Sequence, residues 1–312
     1  MRHAMTVLMA ALSGPGMSLS ALSGSALAQT ANRTGTLRTI ADTRTLTLGV
    51  RESSVPFSYL DERQQTVGYA IDICLAVADA IKAELGLPEL KIVMNPVTSS
   101  TRIPLLSNGT IDMECGSTTN NPERQKQVTF SNTYFLTASK FAARRSAGLT
   151  TIDSLRGKAV ASTSGTVNIA QLNRVNTDRG LDLTIMAGKD YAETFLLLES
   201  GRATALVLDD VLLASLIASS KEPGAYAISD DAFGQPEPYS IMLRRDDAPF
   251  KAVVDRATAA LFTSPSGAAL YAKWFLSPIP PRGLTLGLAM TPALARALRM
   301  PSDSPDPAHY AP

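Results

Sequence analysis

The chain has 312 residues, 45% of them hydrophobic and 18% charged. It is long enough for two domains with substantial cores, and its composition is not that of a disordered, collagenous or disulfide-dense chain. Lys and Arg number 29 against 28 Asp and Glu, and the only two histidines, His3 and His309, lie near the ends. That balance argues against nucleic-acid or anionic-membrane binding, against Ser-His-Asp or Cys-His catalysis, and against a His-ligated metal.

Residues 1–28 read as a secretory signal peptide. Arg2 and His3 open a short polar start, an apolar stretch follows, and Ala26-Leu27-Ala28 is a small-residue cleavage pattern before Gln29. Gly14-Pro15-Gly16 interrupts the apolar stretch, and the alternative is a disordered Ser/Ala-rich leader that stays attached. Removal takes away one cation, Arg2, and no acid, which leaves a formally neutral chain. No later run reaches the roughly 18 apolar residues of a membrane span, so the expected product is exported and soluble. Export permits a disulfide between Cys74 and Cys115, which is the expectation here; two reduced, buried thiols are the alternative.

After an N-terminal segment over 29–43, Thr45–Val50 alternates with period two and predicts a strand. Ile71, Leu75, Ala78, Ile81 and Leu85 recur at helical spacing, with Gly86 as the stop. Lys91–Val97 predicts a strand, Arg102–Ser107 a short helix ended by Asn108-Gly109, and Ile111–Cys115 a strand. The alternation resumes with a strand at Lys158–Ala161 and a helix opened by Ser164-Gly165-Thr166. A strand over Asp182–Met186 and a helix marked by Tyr191, Phe195 and Leu198 come next. The strand Ala205–Leu208 then runs into Asp209-Asp210, and Phe250, Val253, Val254, Ala257 and Leu261 mark a further helix. Such alternation implies an α/β class with mostly parallel sheets. Residues 44–136 and 141–235 form two blocks, and 239–300, too small to stand alone, completes the first. The chain then crosses between the two twice, which makes a hinged pair with a cleft. Residues 301–312, rich in Pro and Ser, are expected to be a flexible tail.

Ligands in open α/β sheets bind beyond the carboxyl ends of strands. Arg51-Glu52-Ser53-Ser54, Gly116-Ser117-Thr118-Thr119 and Asp209-Asp210 all follow predicted strands, and Ser164-Gly165-Thr166 offers the free N–H groups of a helix start. Cations, hydroxyls, backbone donors and a carboxylate together suit a zwitterion. Each piece alone has a plainer reading: a solvated arginine, a helix cap, a turn. Position by position, the residues support an exported two-domain binder of something small and charged.

RESSVPFSY (51–59), TSSTRIPLLSNGT (98–110), ECGSTTNNPERQ (114–125), LESGRA (198–203), LDD (208–210) and KWF with PIPP (273–281) go further. Over nearly all of 40–300 the chain resembles the glutamate/aspartate-binding proteins of bacterial ABC importers, within solute-binding protein family 3. The resemblance implies the periplasmic binding protein fold, two α/β lobes joined by a two-segment hinge around a ligand cleft. It implies a monomeric periplasmic receptor that captures glutamate or aspartate and hands it to a membrane permease, with no catalytic residue, metal or cofactor. Carried over by motif, Arg102 clamps the α-carboxylate with Thr119 and the backbone at Thr166 and Val167. Asp209 and Ser117 take the α-ammonium, and Arg51, Ser99 and Arg124 surround the side-chain carboxylate.

Where relatives often carry His after Lys-Asp, this chain has Lys189-Asp190-Tyr191. A tyrosine hydroxyl donates a hydrogen bond but carries no positive charge at neutral pH, so the preference for acids rests on Arg51 and Arg124 and the balance with the neutral amides is left open. Tyr191 is expected to donate to the ligand's side-chain oxygen; the alternative is a packing stripe with Phe195 and Leu198. The competing functions are a dehydratase-like exported enzyme on the same fold, with Glu52 and Glu114 as acid–base groups, and an amino-acid sensor for a membrane receptor.

Overall fold

The computed structural model describes residues 35–310. The expected signal peptide lies outside the described residues. Helix α1 (Gly35–Thr43) turns Leu37 and Ile40 inward and leads into strand β1 (Thr45–Val50). A small antiparallel sheet of β2 (Ser53–Ser54), β3 (Ser58–Leu60) and β4 (Thr66–Val67) follows. Helix α2 (Tyr69–Glu84), β5 (Lys91–Pro96), α3 (Arg102–Ser107), β6 (Met113–Cys115), α4 (Pro122–Gln125) and β7 (Val128–Thr137) complete this part. After Ala138 come β8 (Ser139–Arg144), β9 (Ala159–Thr163), α5 (Val167–Arg179), β10 (Thr184–Gly188) and α6 (Tyr191–Glu199). Strand β11 (Ala205–Asp209), α7 (Asp210–Ser219) and β12 (Tyr226–Ile228) close the second part. The chain then returns through β13 (Glu237–Arg244), α8 (Ala248–Phe262), α9 (Pro265–Tyr271), a π-helical turn at Ala272–Leu276, and α10 (Pro292–Arg299).

Two five-stranded sheets result, ordered β5-β1-β6-β13-β7 and β10-β9-β11-β8-β12. Each has three parallel strands, β5-β1-β6 and β10-β9-β11, and two that run antiparallel to the strand beside them. The sheets are therefore mixed rather than mostly parallel. The antiparallel strands are those flanking the crossings: β7 passes into β8 through Ala138, and β12 is followed by β13 in the other sheet. Sequence alternation misses β7, β8 and β12: β7 and β8 are buried along most of their length without a period of two, and β12 has only three residues.

The helices cover these sheets through their apolar faces. In α2 the buried residues include Ile71, Ala78 and Ile81 of the expected stripe together with Ile73, Cys74 and Val77. Leu75, placed on the inward stripe by its spacing, is exposed instead. Most positions on this helix are apolar, so spacing alone does not choose the face. Cys74 lies inward and is bonded to Cys115 at the end of β6. An aromatic group seals the core beneath, with Phe57 and Phe135 ring centroids 5.0 Å apart and Tyr271 stacked on Phe275 at 4.4 Å. The KWF motif is structural: Lys273 Nζ and Trp274 Nε1 both donate to Asp72 Oδ2, at 2.6 and 2.7 Å.

The segment from 301 is not a loose tail over its described residues. Thr133 N donates to the Ser302 carbonyl at 2.8 Å, Tyr310 is buried, and its hydroxyl lies 2.7 Å from the Thr133 hydroxyl. The segment is irregular over residues 301–306 and ends in a 3-10 turn, Pro307–Tyr310, that carries the docking Tyr310 ring.

Candidate functional site

The parallel strands β5, β1 and β6 end at one edge of the first sheet, and the turns that leave them carry most of the polar residues singled out above. Arg51 follows β1, Ser99 and Arg102 follow β5, and Ser117 to Thr119 follow β6. The disulfide pins the start of that last turn to α2. A Cβ on Gly116 would lie 2.4 Å from Glu114 Oε1 and 2.8 Å from Arg51 Cγ, so any larger residue there would displace these two site side chains.

Arg102 is buried with its charge partly met. Its Nη1 donates to the Ser117 carbonyl at 3.2 Å and to the Thr118 hydroxyl, and lies 3.8 Å from Glu114 Oε1. Thr118 in turn donates to Glu114 Oε2 at 2.5 Å. Arg102 Nε and the nearby Ser99 Oγ are buried without a hydrogen-bond partner. Arg124 is set by α4, whose N-cap Asn121 accepts from the Arg124 backbone N–H. Its Nη1 donates to the Thr119 carbonyl at 2.8 Å, and its Nη2 reaches across to the Gly165 carbonyl at 3.2 Å.

The second sheet supplies the facing groups. Beyond β9 the chain turns through Gly165 at φ +76°, and Thr166 caps α5 by accepting from Ile169 N–H. A Cβ on Gly165 would lie 2.6 Å from Ser100 N, so the two turns meet backbone to backbone. The first N–H groups of α5, beginning at Val167, have no partner inside the helix, which favours an anion. Asp209, at the end of β11, accepts from Asn168 Nδ2 at 2.9 Å on one oxygen and from the Tyr239 hydroxyl on the other. Asp210 faces elsewhere, accepting from the Thr137 hydroxyl and Val211 N–H, both at 2.7 Å. Tyr191 opens α6, and its hydroxyl lies 3.2 Å from Ser117 Oγ and 3.4 Å from Arg51 Nη1. The Arg51 guanidinium sits over its ring, 4.6 Å from the centroid.

The electrostatics are those of a site richer in cations than in committed anions. Burial, then the like charge of Arg102, pushes Arg124 down to about 10. Burial opposes ionisation of Tyr191, but the charges of Arg51 and Arg102 outweigh it and hold the hydroxyl below the usual tyrosine range. Burial raises the Asp209 carboxyl against hydrogen bonds from Tyr239 and Asn168 and the pull of Arg124. Among the described residues no cluster of three His, Cys, Asp or Glu could hold a metal. Hydrogen bonds link Tyr191 to Arg51 and Ser117, Arg102 to the Ser117 carbonyl, and Arg124 to the Thr119 and Gly165 carbonyls, while Thr119 pairs with Tyr239, which holds Asp209.

A family model for bacterial extracellular solute-binding proteins, family 3, matches residues 46–277. The chain belongs to that family. It is 44% identical over 274 residues to the L-glutamate/L-aspartate-binding protein of Pseudomonas aeruginosa, covering 86% of this chain and 89% of the relative. It is 41% identical over 268 residues to the glutamate/aspartate import solute-binding protein of Escherichia coli K12, covering 86% and 88%. The solute receptor for L-cysteine of Neisseria gonorrhoeae shares the fold, with a TM-score of 0.68 at 23% identity over 78% of this chain and 94% of that one. No helix among the described residues is long and apolar enough to cross a membrane.

Several residues of this family 3 site escape sequence reasoning. Asn168 and Tyr239 hold Asp209; Ser54 and Thr118 stand in the polar segments named above, but sequence does not show that Ser54 donates to Ser117 at 2.8 Å or that Thr118 bridges Arg102 to Glu114. Asn168 carries a weak signal, a polar residue in the first turn of the anion-facing helix. Tyr239 carries none, arriving from the returning strand. The carboxylates weighed for acid–base chemistry do not form a pair: Glu52 is exposed, and Glu114 is occupied by Thr118 and Arg102.

Proposed function

We propose that this family 3 protein is exported through cleavage of its leader, works as a monomer in the periplasm, and captures glutamate or aspartate for the membrane permease of an ABC importer. The observation that carries the reading is the convergence of three buried arginines, Arg51, Arg102 and Arg124, on a seam whose far side offers a helix N-terminus and Asp209. Two carboxylates and one ammonium match that set, and the names of the Pseudomonas and Escherichia relatives agree with it. Two lobes, 44–136 with 239–300 and 141–235, would close on the ligand, since contacts from both favour the closed state.

The geometry favours a different division of the arginines from the one the motifs imply. The α-carboxylate and α-ammonium share one carbon, so their partners must be neighbours. Arg124 is the arginine whose charge acts on Asp209, and it reaches Gly165 beside the start of α5. Arg124, Thr119 and the N–H groups at Thr166 and Val167 therefore take the α-carboxylate, with Asp209 on the ammonium. Arg51, Arg102, Ser99, Ser117 and Tyr191 read the side-chain carboxylate, Arg51 and Arg102 being the charges that act on Tyr191. Calorimetry with glutamate and glutamine tests both claims. Arg124→Met is expected to weaken both ligands alike, by about 3–5 kcal/mol, the scale for breaking a buried charge pair. Arg51→Met is expected to weaken glutamate far more than glutamine. A loss at Arg124→Met confined to glutamate would restore the motif-based division, and no binding of either acid by the wild type would overturn the function.

A further inference from the structure

Glu237 begins β13 at the return crossing, paired with Thr137 of the first sheet. Gln171 lies on α5, which covers the second sheet. Gln171 Nε2 donates to Glu237 Oε1 at 2.9 Å, a hydrogen bond that bridges the two halves beside the site. The same two side chains each keep one buried oxygen with no hydrogen-bond donor: Gln171 Oε1 and Glu237 Oε2. Buried acceptors are costly when unmet, and an ionised carboxylate facing an amide leaves two unmet at once. A single proton on Glu237 Oε2 turns that oxygen into a donor and removes one of the two unmet acceptors beside the existing Gln171–Glu237 hydrogen bond.

The groups facing Glu237 decide what that proton does. Arg124 on α4 attracts the ionised form, Asp209 on β11 repels it, and Thr119 and Gln171 offer hydrogen bonds. Burial, followed by the charge of Asp209, outweighs the rest and raises the carboxyl to about 7. An ionised Glu237 competes with a ligand carboxylate for Arg124, whereas a protonated one leaves that charge to the ligand.

We propose that Glu237 is a proton-controlled affinity residue: capture of the acidic amino acid is accompanied by proton uptake on Glu237, which strengthens its pairing with Gln171 and removes its negative charge from the surroundings of Arg124. This rests on the glutamate/aspartate reading above. The bond formed is O–H on Glu237 Oε2, the proton comes from solvent, and release of the ligand returns it.

The test is calorimetric titration of L-glutamate into the mature chain between pH 6 and 9, in pairs of buffers with different ionisation enthalpies. Net proton uptake is expected above pH 7, with affinity falling toward tenfold per pH unit there, the limit for one linked proton. In Glu237→Gln the uptake is expected to vanish and the profile to flatten. Binding without proton uptake in the wild type, or uptake that survives in Glu237→Gln, would overturn the inference while leaving the function intact. If glutamate does not bind, the failure belongs to the function. The inference is then decided by the carboxyl carbon shift of Glu237 in the ligand-free protein, assigned by its loss in Glu237→Gln: a midpoint near 7 supports it and one below 5 overturns it.

Discussion

Replacing Tyr191 separates two contributions that the structure places on one side chain. Its ring carries the Arg51 guanidinium 4.6 Å from the centroid, and its hydroxyl contacts Ser117 Oγ at 3.2 Å and Arg51 Nη1 at 3.4 Å. Tyr191→Phe keeps the ring and removes the hydroxyl. Ser117 is not orphaned by the change, because Ser54 still donates to it at 2.8 Å. The Arg51 bond is long, so its loss falls at the low end of the range for a hydrogen bond to a charged group. The expected cost is about 1.5 kcal/mol of glutamate binding, roughly tenfold in Kd. Tyr191→Leu also removes the cation–π contact, which for a buried site adds about 2 kcal/mol, so the combined loss exceeds roughly a hundredfold. Both effects are expected to be larger for glutamate than for glutamine, since Tyr191 orients an arginine assigned to the side-chain carboxylate. Calorimetry on wild type, Phe and Leu variants reads them directly. Equal affinities for wild type and Tyr191→Phe, with Tyr191→Leu changed, would confine Tyr191 to its ring. Equal losses for glutamate and glutamine would refute the placement of Arg51 at the side chain.

The Cys74–Cys115 bridge spans 41 positions, and the chain-entropy relation puts its contribution at about 4 kcal/mol. Reduction is therefore expected to lower the denaturant midpoint and to weaken binding, because the bridge fixes the turn carrying Ser117; an unchanged midpoint after reduction, with two thiols titrated, would contradict this. Gly165→Ala adds a Cβ 2.6 Å from Ser100 N at a positive φ. It is expected to hold the facing turns apart, lowering affinity at least tenfold while far-UV circular dichroism stays unchanged, and wild-type affinity would show that the close approach is not needed.

Much of the site was legible in the sequence, for a local reason. The chain turns that follow strands carry the charged and hydroxyl residues, and strand, turn and cap signals are each written within a few residues. Arg51 after Thr45–Val50, Ser117 after Cys115 and Asp209 after Ala205–Leu208 could all be placed that way, as could Thr166 at its helix start. The motifs between them then named a family. What spacing could not supply was which polar group meets which. Asp209 and Asp210 look alike in sequence, yet one is held by Asn168 and Tyr239 at the site and the other by Thr137 at the crossing. Leu75 and Cys74 are neighbours on an almost uniformly apolar helix, yet Leu75 is exposed while Cys74 is buried and bonded to Cys115. The docking of Tyr310 on Thr133 and the pairing of Glu237 with Gln171 join residues far apart along the chain. Such contacts depend on where two crossings bring separate segments, and burial then removes water as an alternative partner, so each polar group's role is set by neighbours that only the tertiary fold provides.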